Sequence, residues 1–86
     1  MSEPNRPIKV IRLGSVNASI WRNESKKGGR TTTWHSVRVC RSYREKETDD
    51  WKETEYFNPG DLLNLEHVTR RAFEFIDALE NEETPA

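Results

Sequence analysis

Cysteine occurs once, at Cys40, in a chain of 86 residues, so no disulfide can form within it. Zinc fits poorly too. Cys40, His35 and His67 are the whole stock of Cys and His, and separations of 5 and 27 residues match no zinc-ligand spacing. Apolar residues are scarce at 33%, against 34% charged. No apolar run approaches the ~18 residues of a membrane span. No basic stretch leads into an apolar run at the start, so no secretory signal is expected and the expected location is cytoplasmic, at the nucleoid in a bacterium. A phosphate-cradling glycine loop is missing. Asp49-Asp50 reads as a turn without further metal ligands, and Cys40 has no base placed beside it. The chain therefore reads as a non-enzyme with no cofactor, no metal and no small-molecule substrate. A domain this small and polar is marginal on surface-to-volume grounds. Self-association is a common remedy.

What is present is charge, unevenly spread. Residues 1–52 hold 12 Lys or Arg and 6 Asp or Glu, a net of +6; residues 53–86 hold 2 and 9, a net of −7. Halves of opposite sign suggest a basic surface with a use and an acidic part that keeps the whole soluble.

The polar, two-proline start, residues 1–7, reads as a disordered arm, and acidic residues 81–86 as a frayed tail. Between them, residues 8–80 form one domain. Lys9–Leu13 is short and strand-like, and Gly14 permits a bend or bulge. Val16, Ala18 and Ile20 alternate with Asn17, Ser19 and Trp21, the period of a strand. Ser25–Arg30 is a turn in which Gly28-Gly29 can take positive φ. Thr31–Tyr43 is the longest β-rich run, Glu45–Asp50 a charged turn, and Trp51–Phe57 a further strand.

The period then changes. Asn58-Pro59-Gly60-Asp61 reads as a helix start, with Asn58 as cap, Pro59 at the first position and Asp61 favourable to the dipole. Leu62, Leu65, Val68, Thr69, Ala72, Phe73, Phe75, Ile76 and Leu79 follow within an arc of roughly 160°. One sheet needs a narrower stripe, so the helix is expected to meet a second copy as well, through Leu62, Leu65, Thr69, Ala72, Phe73 and Ile76. The fold class is α+β: a four-stranded antiparallel meander followed by one long C-terminal helix, homodimeric.

One helix covers one face of a sheet. With Val16, Ala18, Ile20, Val37 and Val39 inward, parity turns Trp21, Trp34 and Arg38 outward. With Phe57 inward, Lys52 and Tyr56 also face out, and Trp51 falls on the core side. Arg22, Lys26, Lys27 and Arg30 line the hairpin rim. Exposed rings among cations suit single-stranded nucleic acid, whose bases stack while Lys and Arg meet phosphates. Tryptophan buried in a small core is the competing reading.

Element order and several motifs resemble the single-stranded-DNA-binding domain of the positive cofactor four (PC4-like) coactivators, with their bacterial and phage relatives and, more distantly, the Whirly proteins. The resemblance runs from Ile8 to about Glu80. It rests on Leu13-Gly14, Ala18-Ser19-Ile20, Val37-Arg-Val-Cys-Arg-Ser-Tyr43 and Tyr56-Phe57-Asn58-Pro59. It implies a curved sheet, a homodimer packed partly through its helices, and sheets that line channels for unpaired DNA. It also implies DNA contacts from Arg41 and Tyr43. Parity places both on the covered side, so they reach DNA only where the strand runs past the helix or bulges after Val39. Trp21 is the nearest match to the family's hairpin aromatic, and the basic hairpin is thinner here. RNA binding on the same fold and a protein-interaction module using the same face are the alternatives.

Overall fold

The computed structural model describes residues 6–83; residues 1–5 of the expected arm and 84–86 of the expected tail lie outside the described residues. Four strands form one open antiparallel sheet in chain order: β1 (Lys9–Leu13), β2 (Val16–Lys27), β3 (Arg30–Arg44) and β4 (Trp51–Thr54). One turn of 3-10 helix, Pro59–Asp61, leads into α1 (Leu62–Glu83). The α+β class and strand order agree with the sequence reading. The helix runs three residues beyond the boundary expected at 80.

Both tight turns have chemical causes. Leu13 pairs with Val16, so Gly14 and Ser15 make a two-residue hairpin rather than a bulge. Gly14 has φ 62°, and a Cβ there would lie 2.8 Å from the Asn64 side-chain nitrogen on α1. Both backbone freedom and helix packing therefore favour glycine at this position. At the far end, Lys27 pairs with Arg30 around Gly28 and Gly29, which have φ of 56° and 78°. Positive φ at both central residues is the turn that matches strand twist.

The register along β2 and β3 is unbroken from Val16 opposite Arg41 to Lys27 opposite Arg30. Residues directly opposite share a face. Val16, Ala18 and Ile20 thus point the same way as Val39 and Val37, toward α1. The core is Ile11, Val16, Ala18 and Ile20 against Val68 and Ala72, flanked by Val39, Phe57, Leu65, Phe75 and Ile76. Ala72, expected at a dimer contact, lies fully within this core. The small side chain lets the helix approach the sheet there and leaves it no surface for a partner.

Two readings near β4 are corrected. The strand ends at Thr54, a bend follows at Glu55, and Phe57 lies outside the sheet. Parity therefore does not carry from Phe57 back to Trp51. Lys52 and Thr54 pair with Tyr43 and Arg41, which puts Lys52 on the helix side. Trp51 pairs with Arg44 on the other face and is 66% exposed, not part of the core.

The helix packs on β2 and β1 more than on β3. Its two edges can be told apart. Phe75 lies under Lys9 of β1, with the ammonium 5.7 Å from the ring centre. Glu80 reaches across to His35 of β3 at 3.7 Å. Phe73 and Leu62 precede Glu80 by two and five turns, so they share its edge, above β3. There the helix leaves the sheet partly bare: Val37 faces it yet is 42% exposed, and Phe73 is 67% exposed.

Among the described residues, β2 beyond Ile20 pairs only with β3, while β4 meets β3 only at Arg41–Arg44. The distal hairpin is thus a two-stranded arm. It accounts for a radius of gyration of 16.0 Å, where a compact chain of this length has roughly 12 Å. Among the described residues no helix is long and apolar enough to cross a membrane.

Candidate nucleic-acid interface

The face opposite α1 collects all three tryptophans. Trp21 sits opposite Ser36 and Trp34 opposite Asn23, which makes the two rings diagonal neighbours on the arm. Trp51 stands at the other end of the sheet, opposite Arg44. Trp34 is 47% exposed, and Trp21 is half-buried. The same register places Arg12, Lys27, Arg30, Arg38 and Arg44 on this face, against one strand acid, Glu53. The spaces between are filled by small polar side chains: Asn17, Ser19, Asn23, Ser36 and Ser42.

Not every cation here is available. Arg38 Nη1 lies 2.9 Å from Glu53 Oε1, and its Nε lies 3.8 Å from Glu55. The bond from Arg38 holds the Glu53 carboxyl below its usual range, and the Arg38 guanidinium is raised in return. Arg44 lies 3.5 Å from Asp49 and caps the Trp51 ring at 5.1 Å from its centre. Arg12, Lys27 and Arg30 make no ion pair among the described residues.

Beneath these side chains lies a buried polar chain. Cys40 Sγ donates to Asn17 Oδ1 at 3.3 Å, and Asn17 Nδ2 donates to Ser42 Oγ at 3.5 Å. Arg38 Nη1 donates to Cys40 Sγ at 3.7 Å. Burial pushes the Cys40 thiol up, which suits a packing residue and not a nucleophile. These bonds explain how Asn17 and Cys40 can be buried on a face the helix does not cover.

The other expected site residues lie elsewhere. Arg22 and Lys26 sit on the helix-side parity of the arm, behind Lys27 and Arg30. Arg41 and Tyr43 also face the helix side, with no bulge after Val39 to turn them. Arg41 Nε donates to the Tyr56 carbonyl at 3.1 Å and lies 3.3 Å from Asp61 Oδ2. Tyr43 stands beside it, with the guanidinium 5.9 Å from the ring centre. Lys52 pairs with Glu45 across the charged turn. Tyr56 lies past the end of β4, highly exposed. Sequence reasoning missed Arg12, Arg44 and Trp51. Arg12 was recoverable by counting from Ile11, a core residue. Trp51 was not, because the turn from Glu45 to Asp50 resets the register.

Comparison of the chain with protein-family models, with curated proteins and with solved structures finds no match. The reading of the site rests on its geometry and chemistry.

Proposed function

We propose that this chain is a non-enzymatic single-stranded-DNA-binding protein of the PC4-like kind, an accessory factor in transcription or replication that works as a homodimer. The observation that carries the reading is the segregation of all three tryptophans, with five cations and one strand acid, on the face opposite the helix. Duplex DNA offers no bare base faces to such rings; unpaired strands do, at roughly 1–3 kcal/mol per stacked base. Arginine adds stacking of its own.

The distal arm fits this use. A two-stranded ribbon alone is marginal in water, and this one ends in Lys27 and Arg30 without ion-pair partners among the described residues. Phosphates would neutralise that end. The dimer is supported by Phe73, Leu62 and Val37, apolar and exposed along one side of the helix.

The deciding experiment is a titration of labelled oligo-dT against duplex of equal length at two salt concentrations. Tighter single-strand binding that weakens steeply with salt is expected. Equal affinity would reduce the face to charge attraction, tighter binding to an RNA oligomer would reassign the target, and no binding at low salt would favour a protein partner.

A further inference from the structure

A cleft of about 820 Å³ opens at the end of the sheet remote from the arm, between the Gly14–Ser15 turn and β4. Arg12, Ser42, Trp51 and Glu53 are among its walls. Along β3, Ser42 is eight residues from Trp34, roughly 26 Å at strand spacing. The cleft is therefore separate from the paired rings on the arm.

Its groups differ in what they offer. Trp51 carries Arg44 over one side of the ring, yet stays 66% exposed and lines the cleft. Ser42 Oγ accepts from Asn17, which leaves the hydroxyl proton to donate. Glu53 accepts from Arg38 on Oε1 and also faces the Cys40 thiol, and its carboxylate keeps further lone pairs to accept. Arg12 makes no ion pair among the described residues.

We propose that this cleft holds one nucleotide of a bound single strand, its base stacked on Trp51 and its phosphate on Arg12. This rests on the single-strand reading and extends it from the arm to the opposite end of the sheet. Ser42 and Glu53 meet the edge of the base as one donor and one acceptor. Every base has a Watson–Crick edge with at least one donor and one acceptor, so the pocket orients a base without selecting strongly among the four. A carboxylate in a nucleic-acid site is otherwise a liability. Here Arg38, which also meets Glu55, offsets part of that charge, and the carboxylate keeps lone pairs for the base edge.

The test uses the full chain with Trp21→Phe and Trp34→Phe, leaving Trp51 as the sole tryptophan. An oligo-dT of roughly 16 nucleotides is titrated in. The fluorescence of Trp51 should quench saturably, at the midpoint found by anisotropy. In the otherwise native chain, Trp51→Ala should weaken the oligonucleotide by roughly 5- to 150-fold. Arg12→Ala should lower the slope of log affinity against log salt by about 0.7. If the native chain binds but Trp51 is not quenched and Trp51→Ala binds as tightly, the cleft is not a subsite and the single-strand reading stands. If the native chain does not bind oligo-dT at low salt, both fail together.

Discussion

Arg41 of β3 and Asp61 at the start of the helix form a partly buried ion pair, Nε to Oδ2 at 3.3 Å, with one-fifth or less of each side chain exposed. Asp61 Oδ2 also accepts from the Asn58 backbone N–H at 2.9 Å, and the Asp61 N–H donates to the Asn58 carbonyl at 2.8 Å. One carboxylate thus closes the helix entry and anchors it to the sheet. Arg41→Ala removes the cation and the bond to the Tyr56 carbonyl. The expected cost is about 1.5–3 kcal/mol of stability, the usual worth of a charged hydrogen bond. Measured at a temperature where the variant stays folded, its oligo-dT salt slope should equal that of the native chain. A slope reduced by about 0.7 would restore Arg41 to the DNA contacts that the family resemblance implies.

Phe73 and Phe75 had equal claims from the helical period, one at each edge of the apolar arc. Phe75 is packed on the core and Phe73 is exposed. Phe73→Glu should therefore leave the monomer fold nearly intact, since exposed substitutions usually stay within about 0.5 kcal/mol. It should also halve the mass seen by light scattering at concentrations where the native chain is dimeric. A native chain that scatters as a 10.1 kDa particle at micromolar concentration removes the dimer from the proposal.

The readable parts of this fold are those where one periodicity runs without interruption. Val16, Ala18 and Ile20 fixed their own face, and the matching alternation in Val37 and Val39 carried it across to β3. Gly28-Gly29 and Asn58-Pro59-Gly60-Asp61 marked a turn and a helix entry by local backbone chemistry alone. Trp51 and Lys52 were misplaced because the face of a short strand depends on turn length and on where the strand stops. Val37 shows a second limit. Its parity was right, but parity does not say how far across the sheet a helix sits. That position depends on small contacts such as Ala72 against β2 and Gly14 against Asn64.

Stacking and charge should separate on the arm. Trp34→Ala removes an exposed ring that opposes Asn23, so it should weaken oligo-dT by roughly 1–3 kcal/mol and leave the salt slope unchanged. Lys27→Ala with Arg30→Ala should do the reverse, lowering the slope by about 0.7 for each phosphate no longer neutralised. Arg38→Ala should change the slope less, because Glu53 and Glu55 already balance that charge. Trp21 is half-buried, and its alanine variant is to be melted before it is titrated. If Trp34→Ala binds as the native chain does, the arm is an electrostatic guide only, and stacking must reside elsewhere on the face.

His35 sits under the end of the helix with its side chain 4% exposed, and among the described residues neither ring nitrogen has a hydrogen-bond partner. The Glu80 carboxylate lies 3.7 Å away, beyond hydrogen-bond reach, and is itself largely exposed. A buried polar group without a partner costs about 1–3 kcal/mol, and replacing it with an apolar group of similar size is neutral or stabilising. His35→Leu should therefore hold or raise the thermal midpoint. A gain of 1 kcal/mol would move it by roughly 4–8 °C in a domain this small. His35→Ala should lower it, because alanine removes the polar atoms but leaves a cavity beside the helix. The pair of melts decides the role of the residue. If both variants lose stability alike, the imidazole makes a bond that the isolated protomer does not contain. The second copy proposed to dock along Val37, two residues away, would then be the first place to look for it.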